Sequence, residues 1–108
     1  MRPFDIFISY ISWEAGGKLR PVLVYEMNAS FVRIYPITTQ FNNKSEAIKK
    51  KYFKVNYWVQ AGLDKQSYVD TGTKLKLPLS MLDNITPIGR LTEADKRRLI
   101  EFIKREKG

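Results

Sequence analysis

The sequence contains no cysteine and no histidine. Without cysteine the chain cannot form a disulfide, a thiolate metal site or a cysteine nucleophile. Without histidine it lacks the commonest zinc ligand and the commonest general base of enzymes. Any catalysis by this protein therefore has to proceed without imidazole.

Long apolar runs are also missing. No uninterrupted apolar stretch approaches the roughly 20 residues that a membrane-spanning helix needs, and Asp5 lies where a signal peptide would be apolar. We therefore expect no contact with a membrane and a location in the cytoplasm. The 108 residues, of which 44% are hydrophobic and 28% charged, predict one folded domain spanning 1–108.

Acidic residues are scarce relative to basic ones. Nineteen Lys and Arg against eleven Asp and Glu give a net charge of +8, which is typical of a protein that binds a polyanion such as nucleic acid. The alternative is a basic surface that serves only solubility. The segment 44–54 holds five lysines and one glutamate, and its aromatic neighbours place stacking surface beside the charge, although a plain solvated helix has the same pattern.

Three runs rich in β-branched and aromatic residues predict strands at 4–11, 21–26 and 30–35. Gly16 and Gly17 predict a loop over 12–19. Asn28 predicts a tight turn that pairs the second and third strands antiparallel. Pro36 is expected to end the third strand because it has no backbone donor.

The second half predicts shorter elements. Ser45 is placed to cap a helix over 46–51, and extended or alternating runs follow at 52–55, 66–70 and 73–77. Pro78 is expected to stop the last strand before a helical turn at 79–82. Thr92 and Asp95 form a capping box for an amphipathic C-terminal helix. The order predicts an α+β fold, a small curved sheet or partly closed barrel whose open edge favours a homodimer.

Arg20 and Thr38 are the best candidates for chemistry. The start of strand two lies beside the end of strand three in an antiparallel pair, so these side chains should be close. A guanidinium and a neighbouring hydroxyl together suit a phosphate. The alternative is that Arg20 pairs with Asp5 or Glu26 and that Thr38 only closes a turn.

Several short motifs, in order and spacing, resemble the MazF/PemK toxins of bacterial type II toxin-antitoxin systems. They are 18–24 (KLRPVLV), 35–39 (YPITT), 62–63 (GL) with Lys65 and Ser67, and 88–92 (IGRLT). The resemblance implies a homodimeric SH3-like antiparallel barrel that cleaves single-stranded RNA at short sequences without metal or cofactor. It also implies a cognate antitoxin as a protein partner.

The resemblance also implies roles for individual residues. Arg20 and Thr38 match the catalytic arginine and threonine of the family, and Glu14 resembles an acid that some members carry in the preceding loop. The expected RNA-binding residues are Trp13, Lys18, Thr39, Gln40, Lys65 and Ser67. Further aromatic candidates for stacking on a base are Tyr10, Tyr57, Trp58 and Tyr68.

The sequence departs from the family in two places. Segment 70–77 (DTGTKLKL) lacks the Gln and Arg that many members carry after the serine strand, and the insert 42–58 has no clear counterpart in the shortest members. Two other functions remain open from the residues. One is a non-catalytic toxin of the same fold that inhibits DNA gyrase, as CcdB does, and the other is a basic single-strand binder that leaves its ligand uncut.

Overall fold

The computed structural model describes residues 1–13 and 16–107. Within them the chain forms one curled antiparallel sheet and a C-terminal helix, the α+β fold that the sequence predicted. The elements are β1 (Asp5–Trp13), β2 (Gly16–Met27), β3 (Phe31–Thr38), α1 (Glu46–Lys49), β4 (Tyr52–Lys54), β5 (Tyr68–Asp70), β6 (Leu75–Pro78), a 3₁₀ turn (Leu79–Leu82), β7 (Gly89–Arg90) and α2 (Glu93–Lys107).

The strands follow the order β4-β5-β3-β2-β1-β7, and β6 pairs with the first half of β3. Strand β3 therefore has three partners, because β2 and β6 flank its beginning and β5 takes its last residues. This change of partner along one strand bends the sheet into a half-barrel.

The core lies on both faces of the sheet because side chains alternate along each strand. On the face covered by α2, which we call the helix face, Leu23 and Ile37 pack with Leu99 and Ile103 of the helix. On the other face, which we call the turn face, a second cluster contains Phe7, Val22, Val24, Val32 and Ile34 together with Leu82 of the 3₁₀ turn.

The predicted loop over 12–19 is wrong. Strand β1 continues to Trp13 and β2 begins at Gly16, so that Ser12 pairs with Gly17 in a regular ladder. A Cβ on Gly17 would lie 2.5 Å from the hydroxyl oxygen of Tyr10. Glycine at this position therefore makes room for Tyr10 inside the hairpin and does not interrupt the strand.

The prediction that Pro36 ends the third strand is also wrong. Pro36 lies opposite Val22 within β3, and the next two residues pair with β5. Because the strand changes partner here, the ladder tolerates a residue without a backbone donor.

Most local predictions are confirmed. The side-chain oxygen of Asn28 accepts the backbone N–H groups of Ser30 at 2.8 Å and Phe31 at 2.9 Å, which closes the β2–β3 turn. Ser45 Oγ accepts the N–H of Ile48 at 3.3 Å and caps α1, which ends two residues earlier than predicted. Thr92 Oγ1 accepts the N–H of Asp95 at 3.2 Å at the start of α2.

Strand β7 has no counterpart in the sequence prediction. It is two residues long and pairs with Asp5 and Ile6 at the start of β1. A glycine and an arginine carry no strand pattern, so only the tertiary pairing reveals this strand. None of the helices within the described ranges is both long enough and apolar enough to cross a membrane.

Candidate active site

Arg20 and Thr38 lie on the same face of the sheet, each two residues beyond the last pair of the β2–β3 ladder. The β2–β3 ladder places Val22 opposite Pro36, and two residues further outward along each strand stand Arg20 and Thr38. Positions two apart share a face, so both residues belong to the turn face, beyond its buried cluster. Ser9 of β1 lies opposite Arg20, and Tyr68 of β5 lies opposite Thr38.

The two carboxylates considered as partners of Arg20 each bind another arginine. Asp5 accepts from Arg90 at 3.0 Å, and Glu26 accepts from Arg33 at 3.0 Å. Arg20 itself is half-buried.

Tyr52 lies within the electrostatic reach of Arg20. Burial raises the pKa of the Tyr52 phenol, and the neighbouring Asp70 raises this pKa further, whereas Arg20 lowers it. A phenol is neutral at pH 7 even without this shift, so the Tyr52 hydroxyl can donate a hydrogen bond there, and the raised pKa extends the neutral form to more alkaline pH. A guanidinium and a neutral phenol therefore share this end of the sheet.

The hydroxyl of Thr38 closes a turn and still has a proton to donate. Its Oγ1 accepts the backbone N–H of Gln40 at 3.1 Å. Since a hydroxyl both accepts and donates, this bond fixes the oxygen and leaves the proton directed elsewhere. Thr38 is half-buried, whereas Thr39 and Gln40 are exposed.

Three aromatic rings lie beside Thr38. Phe41 stacks on Tyr68 with 4.5 Å between ring centroids and 14° between the ring planes, and its centroid lies 6.3 Å from that of Tyr52. The ammonium of Lys49 lies 5.2 Å from the Phe41 centroid. The rings offer a surface for unpaired bases.

A shallow cavity of about 370 Å³ lies next to the rings. Its lining residues are Thr39, Gln40, Phe41, Asn42, Asn43, Gln66 and Tyr68. Sequence reasoning named Thr39, Gln40 and Tyr68 but missed Phe41. No local signal identifies Phe41, because it sits in a segment whose other residues are polar.

The remaining predicted site residues fall into three groups. Lys18 and Lys65 are exposed, and Lys18 shares the turn face with Arg20. Ser67 is only 3% exposed and its hydroxyl donates to the backbone carbonyl of Lys65 at 2.8 Å, so this side chain is engaged inside the fold. Glu14 lies outside the described residues, and Trp13 is described only by its backbone at the end of β1.

The lysine-rich insert forms α1 and the strand after it. Lys50, Lys51 and Lys54 are exposed, while Lys49 lies 3.6 Å from Glu46. Across residues 1–13 and 16–107 no group of three or more acidic, His or Cys side chains is arranged to hold a metal ion.

No protein-family model and no curated protein matches this sequence. Solved structures do match its fold. The Mycobacterium tuberculosis toxin MazF-mt6 superposes with a TM-score of 0.66 and 24% identity over 96% of this chain and 94% of that chain. A second structure, described as an Mtb toxin, gives a TM-score of 0.59 and 22% identity over 90% of this chain and 98% of that one. The chain therefore has the fold of a MazF toxin.

Proposed function

We propose that this protein is an endoribonuclease toxin of the MazF type that cuts single-stranded RNA at selected sequences. The observation that supports the proposal is that Arg20 and Thr38 share one face at the same end of the β2–β3 pair, within a fold shared with the toxin MazF-mt6. The net charge of +8 supports an RNA partner.

The proposed reaction uses the ribose 2′-hydroxyl as the nucleophile. Its oxygen forms a bond to phosphorus, the bond to the 5′-oxygen breaks, and the products are a 2′,3′-cyclic phosphate and a 5′-hydroxyl end. Arg20 stabilises the negative charge that develops on the phosphorane, and Thr38 donates a hydrogen bond to a non-bridging oxygen. Glu14 is the proposed base that takes the 2′-proton, and the departing 5′-oxygen is protonated from solvent. DNA is no substrate because it lacks this nucleophile.

The proposed RNA surface follows the exposed side chains around these two residues. It includes Thr39 and Gln40 in the cavity beside Phe41, and the exposed cations Lys18 and Lys65. Trp13 is proposed as a further contact because it ends the strand that leads to Glu14. We leave Ser67 out of this surface because its hydroxyl is buried.

Cleavage of a mixed single-stranded RNA in the presence of a chelator tests the proposal. Arg20→Ala is expected to lower the cleavage rate at least about a hundredfold, as loss of one charge-stabilising group does in other enzymes. Arg33→Ala is the matched control, because Arg33 pairs with Glu26 at the other end of β3. Equal cutting by the wild type and Arg20→Ala would remove the proposed centre, and RNA that is bound but left whole would indicate a binder.

We further propose that the toxin is a homodimer. Ile8, Tyr10 and Leu19 are exposed on the β1–β2 hairpin, and Tyr10 and Leu19 lie directly opposite each other with 62% and 68% exposure. They continue the helix face beyond the residues that α2 covers. An apolar surface of this kind on a small domain is suited to a second copy of the same chain.

The proposed antitoxin binds the same cationic surface as RNA. A chain with an excess of eight positive charges attracts an acidic, disordered segment, which would exclude RNA by occupying its place. RNA cleavage that falls on addition of such a protein and recovers as the RNA concentration is raised is the expected behaviour, because the two compete for one surface.

A further inference from the structure

A cationic cavity lies at the edge of the sheet, on the α2 side of β4. It has a volume of about 490 Å³ and lies between β4 and α2. We call it the edge cleft and define it by its lining residues, which are Tyr52, Phe53, Lys54, Arg97, Arg98, Glu101, Phe102 and Arg105.

The edge cleft combines unneutralised positive charge with an aromatic floor. Arg97 and Arg105 are exposed, and neither forms an ion pair within the part of the chain that the structure describes. Phe53 and Phe102 meet edge to face, with 5.6 Å between ring centroids. The only acid among the lining residues is Glu101, which lies 3.8 Å from Lys104. The excess of positive charge beside two aromatic rings favours an anionic ligand with aromatic or apolar parts.

Arg98 holds the two walls of the edge cleft together. It binds the buried carboxylate of Asp95 at 2.5 Å and donates to the backbone carbonyl of Lys54 at 3.3 Å. Its guanidinium carbon lies 4.7 Å from the centroid of the Phe53 ring. The cleft is thus fixed in position, and Arg97, Arg105 and Lys54 remain to bind a ligand.

The edge cleft lies on the α2 side of β4, and it connects to the proposed catalytic site on the turn face around the open edge of this strand. Thr38 lies opposite Tyr68, and Tyr68 lies opposite Lys54, so the three form one row across β3, β5 and β4. With neighbouring strands about 4.8 Å apart, Lys54 stands about 10 Å from Thr38. Tyr52 lines the cleft and is also a member of the aromatic group beside Thr38.

A nucleic-acid strand fits the edge cleft better than an added peptide strand does. Lys51 and Val55 direct their backbone bonds toward β5, so the backbone groups of Tyr52 and Lys54 face the open edge. The Lys54 carbonyl already accepts from Arg98, which occupies one of the few groups that a peptide strand would need. Exposed guanidinium groups, in contrast, bind phosphate in two parallel hydrogen bonds.

We infer that the edge cleft binds the backbone of single-stranded RNA several nucleotides from the bond that is cut. This inference rests on the proposed function, because it extends the path of the same substrate. Arg97 and Arg105 contact phosphates, and Tyr52 and Phe102 provide surface for a base. The consequence is that the protein selects long single strands over short ones.

Binding of 2′-O-methyl oligoribonucleotides, which cannot be cut by their own 2′-oxygen, tests the inference by fluorescence anisotropy. The ligands are random-sequence pools of six and of twenty nucleotides. The double variant R97Q/R105Q is expected to lose about tenfold in the ratio of twenty-mer to six-mer affinity. Its salt dependence for the twenty-mer is expected to fall by about 1.4 in log–log slope, since each contact to a single strand contributes about 0.7.

The double variant K74Q/K76Q is the matched control. It removes the same charge from exposed residues near β6, where Lys76 lies opposite Arg33 and five residues along β3 from Thr38. Equal losses in the two double variants would overturn the inference, because general charge would then explain the effect. An unchanged twenty-mer affinity in R97Q/R105Q would also overturn it. So would an acidic peptide that binds the cleft tightly while no binding of RNA to the cleft is detected.

The Glu101→Gln variant tests the inference in the opposite direction. Removing the one acid that lines the cleft is expected to tighten twenty-mer binding two- to threefold, and a weakening would contradict the inference. Failure of the cleft and failure of the proposed function are distinguishable. RNA cutting that depends on Arg20, with no effect of R97Q/R105Q on long-strand binding, removes only the cleft, whereas long-strand binding without cutting removes only the enzyme.

Discussion

Tyr35 is a buried tyrosine whose hydroxyl has no hydrogen-bond partner within the described residues. The residue is 1% exposed and packs in the cluster beneath α2. Burial, followed by the nearby Tyr25 and Glu26, raises the pKa of Tyr35 to about 12. The fold therefore tolerates this phenol only in its neutral form.

The Tyr35→Phe variant is expected to change the response of stability to alkaline pH. In the unfolded chain the phenol ionises near pH 10, but in the folded chain it stays protonated until about pH 12. Ionisation therefore favours unfolding, and the wild type loses about 2 kcal/mol between pH 10 and 12 from this group alone. Urea denaturation at pH 7, 10 and 11.5 measures the loss, which should be smaller in Tyr35→Phe.

At pH 7 the same variant should be as stable as the wild type or more stable by up to about 1 kcal/mol, because it removes an unpaired buried hydroxyl. Tyr25→Phe serves as the comparison, since Tyr25 is only half-buried and packs against the Tyr35 ring with 5.1 Å between centroids. If Tyr35→Phe and the wild type lose the same free energy of unfolding as the pH is raised, Tyr35 ionises as an exposed tyrosine does and the prediction is wrong.

The position of Arg20 and Thr38 at the same end of the β2–β3 pair is the part of the candidate site that residues alone could predict. Both residues are placed by the register of one antiparallel pair, which starts at the Asn28 turn and shifts by one residue at a bulge between Val24 and Glu26. Phe41 could not be predicted, since its stacking on Tyr68 depends on how the chain folds back after β3. Ser67 was expected to contact RNA because of a motif, but a motif carries no information about which way a hydroxyl points.

At the level of elements, β7 depends on a glycine that no other residue can replace. A Cβ on Gly89 would overlap the carbonyl oxygen of Ala61, and Gly62 beside it has a φ of +88°. This contact joins the segment before α2 to the loop after β4. The backbones can approach this closely only because both positions lack a side chain.

The Gly89→Ala variant is expected to lower the free energy of unfolding by about 2 to 4 kcal/mol, because backbone must move to admit the methyl group. Gly72→Ala is the matched control, since its Cβ would meet only the flexible side chain of Lys51 and the carboxylate of Asp70. Thermal unfolding followed by circular dichroism measures both. Similar melting temperatures for the two variants would argue against the close approach.

The elements that the sequence predicted correctly are those with strong local signals. Side-chain oxygens at Asn28, Ser45 and Thr92 bind nearby N–H groups, and these bonds need no tertiary context. The errors lie where tertiary pairing outweighs local preference. Gly17 stays in a strand because Ser12 pairs with it, and Pro36 stays in one because β5 takes over after it.

At the scale of the whole molecule, the proposed homodimer depends on the exposed apolar residues of the β1–β2 hairpin, which are Ile8, Tyr10 and Leu19. Leu19→Glu is expected to convert a dimer to a monomer, because a carboxylate at the centre of an apolar interface would be buried without a partner. Size-exclusion chromatography with light scattering measures the mass. Val59→Glu is the control, because Val59 is exposed but lies outside the β1–β2 hairpin. Leu79→Glu cannot serve, because Leu79 packs on the core.

A wild-type protein that already elutes as a monomer at micromolar concentration contradicts the dimer. Loss of the dimer in Val59→Glu as well would place the interface elsewhere. Neither result bears on the proposed roles of Arg20 and Thr38, because both belong to the turn face, whereas Tyr10 and Leu19 belong to the helix face.

The shared use of β3 has a consequence for synthesis of the protein on the ribosome. The hairpin that sets Arg20 and Thr38 is translated first, but Tyr68 and Lys54, which complete the row beside Thr38, come later, and α2 comes last. A nascent chain consequently exposes half a core until its final turns emerge. The row beside Thr38 is therefore incomplete during synthesis until β5 has been translated, and the core beneath α2 stays open until this helix has left the ribosome.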